Sequence, residues 1–198
     1  MGRKKQTKKE KIINAAWRLF KVNGYDNTTV EDIISASKTS KGTFFHYFKG
    51  KSALLNTLSM VFDNGYEEYY ETVTPDMTMS DILLGSNEYL FRLIDDEVDP
   101  ELLAYLYSSQ IVTDDYRCLQ DANRFYFRFV RETLEKGLKS GEFSIQEGTT
   151  IEDMLHIYTM YERALLYDWV LYKQGYDLVS YSQRMLRPIV AGFRDGIF

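Results

Sequence analysis

The sequence predicts an all-α protein, with an N-terminal three-helix helix-turn-helix unit followed by a larger helical unit. Three observations predict it. Apolar residues recur at helical spacing along the 198 residues, with no sustained two-residue alternation. Only three prolines occur, Pro75, Pro100 and Pro188, and the first two stand at or just before helix starts. A short polar link, "SASKTS", joins two short helical stretches near the start, the sequence form of a helix-turn-helix.

The elements follow in order. Thr7 is an N-cap with Glu10 three residues later, the spacing of a capping box. The helix it opens carries Ile12, Ala16, Leu19 and Phe20 on one face and ends before Gly24. Thr29 caps a second helix, with Asp32 at the third position and Ile33 and Ile34 turned inward. Thr39 or Ser40 starts a third, reaching about His46, and Gly50 breaks the chain. One long helix is expected from about Lys51 to Glu71, carrying Leu54, Leu55, Leu58, Val61 and Phe62. Further helices are expected over about 77–95, 100–110, 115–139, 150–174 and 177–195, the last kinked at Pro188.

Charge divides the chain. Residues 1–51 hold 12 Lys/Arg and 4 Asp/Glu, a net of +8, whereas residues 52–198 hold 12 and 25, a net of −13. A basic head on an acidic body means that only the head meets a polyanion. A disordered lysine-rich tail would explain the first dozen residues, but Lys38, Lys41, Lys49 and Lys51 lie beyond it. No uncharged apolar run is long enough to span a membrane, and no apolar signal core follows the basic start, so a cytoplasmic protein is expected. Gln6 stands where a myristoylation signal after Gly2 would need Ser or Thr. Cys118 is the single cysteine, which excludes an intrachain disulfide and fits a reducing compartment.

The chemistry concentrates in Ser40 to Lys51, "SKGTFFHYFKGK". Gly50-Lys51-Ser52 resembles the end of a phosphate-binding loop, but the required earlier glycine is Phe45 and no strand precedes it. His46 and His156 are the only histidines, and no Cys/His cluster or Gly-x-Ser-x-Gly elbow exists, so neither metal, cofactor nor catalytic site is expected. Phe44 and Phe48, four apart, are expected in the core. The remainder reads as a recognition helix. Ser40, Lys41, Gly42 and Thr43 form a first turn able to reach base edges, and Tyr47 and Lys51 would contact phosphates.

At this point the stretch "EKIINAAWRLFKVNGYDNTTVEDIISASKTSKGTFFHYFKGKSALL" resembles the N-terminal domain of the TetR family of bacterial transcriptional repressors. The matching elements are Ala-x-x-Leu-Phe closing the first helix, Gly24-Tyr25, Thr29-Val30, Ser40-Lys41-Gly42-Thr43, the aromatic block ending in Phe48, and Lys51 before Leu54-Leu55. "EKGLKSGEF" resembles a family segment before the last two helices. Two positions depart: Lys38 replaces the usual turn Gly, and Phe45 replaces a Tyr whose hydroxyl often serves the phosphate backbone, with Tyr47 as the nearest substitute.

The resemblance implies a DNA-binding domain over residues 1–50 and a helical ligand-binding and dimerisation domain over 51–198. It implies a homodimer that binds a palindromic double-stranded DNA operator and is released by a small-molecule effector. The DNA-facing residues expected are Thr29, Lys38, Thr39, Ser40, Lys41, Gly42, Thr43, His46, Tyr47 and Lys51. The pocket is expected from Phe62, Tyr66, Tyr69, Phe91, Tyr105, Phe125, Phe129, Met160, Arg163 and Tyr167, and suits a hydrophobic or flat, even cationic, ligand. Glu162 and Asp168 stand beside Arg163 as charges awkwardly placed for a buried helix. The dimer interface is expected from Leu165, Trp169, Met185, Ile189 and Phe193, each of which could equally be intrachain core. The alternative is a basic helical adaptor that binds an acidic protein without ligand control.

Overall fold

A computed structural model describes residues 6–114 and 116–198. The basic start through Lys5, with the Gly2 signal weighed above, and Asp115 lie outside the described residues. Every regular element among those described is helical: α1 Lys8–Asn23, α2 Val30–Ser37, α3 Lys41–Tyr47, α4 Ser52–Leu55, α5 Leu58–Tyr70, α6 Met79–Glu97, α7 Pro100–Val112, a 3₁₀ turn Cys118–Gln120, α8 Phe125–Ser140, α9 Ile151–Leu171 and α10 Leu178–Arg194.

The predicted caps are in place. Thr7 and Thr29 each accept a hydrogen bond from the backbone N–H three residues on, and Glu10 and Asp32 return the bond. Thr78 and Thr150 build the same reciprocal box on α6 and α9. Each box satisfies two backbone donors that a helix start leaves open. Gly24 stands at φ +79°, a backbone value that residues with a side chain rarely adopt, and α1 stops there.

The head is α1–α3 around Ile12, Ala16, Phe20, Ile33, Phe44 and Phe48, all buried. Leu19 is only half-buried. Lys38 closes α2 at φ 53° and ψ 43°, the conformation a glycine takes without cost. Its N–H reaches Ile34 and Ser35 carbonyls. The turn is therefore built as its glycine-bearing form would be, with lysine holding a strained backbone.

Two predicted helices are corrected. The expected helix from Lys51 to Glu71 is split at Asn56-Thr57 into α4 and α5. Thr57 Oγ1 donates back to the Leu54 carbonyl at 2.6 Å and accepts from Trp17 Nε1 at 3.0 Å. Asn56 Oδ1 accepts from Gln110 Nε2 at 3.0 Å. Polar side chains that compete for backbone groups and tie to neighbouring helices tighten the chain there. The expected 115–139 helix begins only at Phe125. Asp121 Oδ1 instead accepts from Asn123 N at 2.9 Å, an Asx turn that diverts the backbone. α10 runs unbroken through exposed Pro188, whose missing donor falls on the outer face.

The body buries one carboxylate at its centre. Glu162 of α9 is 3% exposed. It accepts from Tyr126 OH (α8) at 2.5 Å, Asn87 Nδ2 (α6) at 2.8 Å and Tyr66 OH (α5) at 3.1 Å. Tyr158 OH lies 3.3 Å away, but its single proton is better placed on the Leu83 carbonyl at 2.7 Å. Gln183 of α10 extends the network, donating to Asn87 Oδ1 at 3.2 Å and the Leu84 carbonyl at 2.9 Å. Burial pushes the Glu162 carboxyl above its ordinary value, against the hydrogen bonds from Tyr126, Asn87 and Tyr66 that hold it down.

Two outcomes are expected. Lys38→Gly removes the left-handed penalty and stabilises the chain by about 1 kcal/mol in urea denaturation, less the entropy glycine adds to the unfolded state. Glu162→Ala strands two buried tyrosine hydroxyls and an amide, and costs about 3 kcal/mol or more. Because the folded carboxyl titrates above the unfolded one, its contribution is fully present below the unfolded value of ~4.3 and is lost as pH rises through the folded value. Glu162→Gln, compared with wild type in melts from pH ~4.5 to ~8, therefore loses that downward slope.

Candidate nucleic-acid interface and body cavities

The interface is built on α3. Ser40 Oγ accepts from Thr43 N at 3.1 Å and caps the helix. The same oxygen lies 2.9 Å from Thr43 Oγ1. Phe44 is fully buried beneath and anchors the helix to α1 and α2. Outward stand Ser40, Lys41, Gly42, Phe45, His46 and Tyr47, with Thr43 half-buried beside them. A Cβ on Gly42 would meet only Ser40 Oγ, at 4.0 Å, so the glycine leaves an open approach to the backbone.

The flanking residues fall into place around this surface. Thr29 and Lys38 are exposed at the two ends of α2. Thr39 is half-buried, its hydroxyl 2.8 Å from Ser37 Oγ. Lys41 Nζ pairs with Glu31 at 3.2 Å, with both side chains about two-thirds exposed. Such a surface pair holds its partners weakly and yields to a stronger anion.

Lys51 makes contacts within the chain. Its ammonium donates to the Tyr25 carbonyl at 2.7 Å and lies 4.1 Å from the Tyr25 ring centre, with the Asp26 carbonyl at 3.4 Å. The charge expected at a phosphate closes the α1–α2 loop onto the start of α4. The Tyr25 ring in turn packs on Tyr105 of α7, with centroids 4.4 Å apart. Tyr105 thus makes a head-to-body contact.

The other expected pocket residues do not converge on one cavity. Phe62, Tyr66, Tyr69, Phe91 and Phe129 are buried in the body core, packed closely enough that Tyr66 and Tyr126 stack at 4.6 Å. Phe125 lies half-buried over Phe129, with rings nearly parallel at 6.0 Å. Met160, Arg163 and Tyr167 line a separate cleft of about 400 Å³ between α7 and α9. A groove of about 640 Å³ separates head and body, bordered by Lys9, Tyr47, Lys49, Asn56, Gln110 and Tyr116. Sequence reasoning missed Gln110, Asn56 and Arg117, because polar residues in a helix face or a turn carry no periodic signal.

The expected dimer residues also divide. Leu165, Trp169 and Phe193 are buried within the single chain. α9 is packed by α7, α8 and α10, which turns that face inward. Trp169 Nε1 donates to the Tyr176 carbonyl at 3.1 Å. Met185 and Ile189 remain half-exposed on α10. Asp168 is taken by Tyr176 OH at 3.0 Å. Among the described residues no three His, Cys, Asp or Glu side chains are grouped to hold a metal, and no helix is long and apolar enough to cross a membrane.

Comparison with known proteins agrees with this geometry. Residues 12–58 match the family of bacterial regulatory proteins described as the tetR family. The fatty acid metabolism regulator protein of Bacillus subtilis is 24% identical over 197 residues, covering 98% of this chain and 99% of its own. Thermus thermophilus FadR, a TetR-family repressor solved with lauroyl-CoA, superposes with a TM-score of 0.77 at 23% identity, over 92% of this chain and 93% of that one. Bacillus subtilis FadR solved with stearoyl-CoA gives 0.66 at 24% identity, over 95% and 98%. Residues 12–58, which hold α2 and α3, thus match the tetR family of bacterial regulatory proteins, and the helical body shares the fold of these relatives.

Proposed function

We propose that the protein is a cytoplasmic repressor that binds a palindromic operator as a homodimer and is released by an amphipathic effector of the acyl-CoA kind. The observation that carries the DNA reading is the α3 surface: a capped helix, pinned by Phe44, that exposes Ser40 to Gly42 and His46 on its outer side. The head over 1–50 supplies this surface, and residues 51–198 supply effector binding and dimerisation.

The roles follow from geometry. Ser40, Lys41, Gly42, Thr43 and His46 face base edges in the major groove, where lysine and hydroxyl groups discriminate bases. Thr29, Lys38, Thr39 and Tyr47 flank them and reach phosphates, which position the helix without reading sequence. Lys41 exchanges Glu31 for DNA on binding, while Lys51 acts through the fold of the Tyr25 loop. The half-exposed Tyr161, Tyr181, Met185 and Ile189 on α9 and α10 supply apolar surface for the partner. Twofold symmetry then presents two recognition helices about 34–36 Å apart or a multiple of it. The acyl-CoA reading is supported by the full-length likeness to a fatty acid metabolism regulator and to two proteins solved with lauroyl-CoA and stearoyl-CoA.

Selection of duplexes from a random pool is expected to return a twofold-symmetric site, and return of single half-sites would count against the dimeric reading. On that site Lys41→Ala costs about 1–3 kcal/mol and relaxes preference at one position. Lys38→Ala weakens all sequences alike and lowers the salt slope by about one. Saturating lauroyl-CoA lowers operator affinity at least about tenfold, and unchanged affinity under saturation would remove the effector reading.

A further inference from the structure

The cleft between α7 and α9 carries the wrong charge for its surroundings. Residues 52–198 hold 25 Asp/Glu and 12 Lys/Arg, yet the cleft walls include Arg117 and Arg163 and no carboxylate. The rest of the lining is apolar or neutral, chiefly Tyr107, Ile111, Leu119, Met160 and Tyr167. Arg163 Nη1 is buried and, among the described residues, is the one buried side-chain nitrogen or oxygen with no hydrogen-bond partner. A buried donor of a charged group gains from a hydrogen-bond acceptor, and the cleft gives one a way in. The neighbouring backbone is fixed, since Tyr107 OH donates to the Arg163 carbonyl at 3.1 Å. Glu162, next in sequence, does not serve as that acceptor, because both its oxygens are committed to the body network.

The cleft also touches the joint between head and body. Gln110 lines it and the head–body groove as well. Its Oε1 accepts from Leu119 N at 3.2 Å on the cleft side. Its Nε2 donates to Asn56 Oδ1 at 3.0 Å, at the break between α4 and α5. One nearly buried side chain thus bridges the cleft wall and the point where the head's connecting helix is interrupted.

We propose that the α7–α9 cleft binds an amphipathic anion, a carboxylate or phosphate on an apolar chain, with Arg163 as its counter-ion and Gln110 as the relay to Asn56. The apolar walls take the chain, and the guanidinium supplies a charge-assisted bond that a neutral or cationic analogue cannot make. Occupancy shifts Leu119 against Gln110 and releases Asn56, which frees α4 and the head to reorient. The binding claim stands on the cleft alone; its consequence for DNA rests on the repressor reading above.

The test uses the full chain and one chain length with four headgroups: dodecanoate, dodecyl phosphate, dodecanol and dodecylamine, titrated calorimetrically below their micellar concentrations. At least one of the two anions binds at least about tenfold tighter than the alcohol and the amine, a difference of about 1.4 kcal/mol. Which anion binds tighter distinguishes a carboxylate from a phosphate ligand. Arg163→Gln abolishes that preference, and Arg163→Lys keeps part of it. Equal binding of dodecylamine or dodecanol to the wild type overturns the site, as does an anion preference that survives Arg163→Gln. Asn56→Ala, at the far end of the relay and outside the cleft lining, keeps anion binding within about threefold but makes operator affinity the same with and without the anion; a full response in that variant overturns the relay. If the wild type binds no duplex at all, the repressor reading fails, while the calorimetric series still decides the cleft.

Discussion

The body depends on one buried carboxylate. Glu162 sits where α5, α6, α8 and α9 meet, and each of the other three helices sends it a donor: Tyr66, Asn87 and Tyr126. α10 joins through Gln183 and Asn87. A charge in that position is tolerated only because its acceptors are filled, and the same condition fixes how the helices rotate against one another. Apolar packing would permit several rotations of α9, since Leu, Met and Tyr side chains fill similar space. Three hydroxyl and amide donors directed at one carboxylate leave far fewer.

That rigidity gives the head a firm base, and polar and aromatic contacts beside the shared core mark the joint around α4. Trp17 meets Thr57, Tyr25 packs on Tyr105, and Gln110 reaches Asn56. Each is a polar or aromatic contact between residues distant in sequence. Lys51 stiffens the loop beside them by closing on the Tyr25 carbonyl and ring. A joint of this kind is what the proposed transmission from a body cavity to α3 requires.

Electrostatics divides the labour along the same line. The basic head suits a polyanion such as DNA, and the acidic body disfavours one on other surfaces. Against that acidic background, the two arginines of the α7–α9 cleft are local exceptions, one of them with an unmade bond. Similarly, Lys38 is a local exception in a turn that glycine would relax, and it stands exposed beside α3.

The sequence by itself determined the helical class, the capping boxes at Thr7 and Thr29, the end of α1 at Gly24, and the inward Phe44 and Phe48 of the recognition helix. These are local facts, set by hydrogen-bond reach over three or four residues and by the periodicity of one helix face. Only the tertiary structure decided what α9 and α10 bury. Leu165, Trp169 and Phe193 carry the same stripe whether they face a partner subunit or their own chain, and packing of α9 by α7, α8 and α10, and of α10 by α6, turned them inward. It also decided that Lys51 serves a carbonyl, that Tyr105 meets the head, and that the expected pocket residues split among core, joint and cleft. Those outcomes depend on residues dozens of positions away, such as Tyr25 for Lys51 and Asn56 for Gln110, and no local pattern encodes such a pairing.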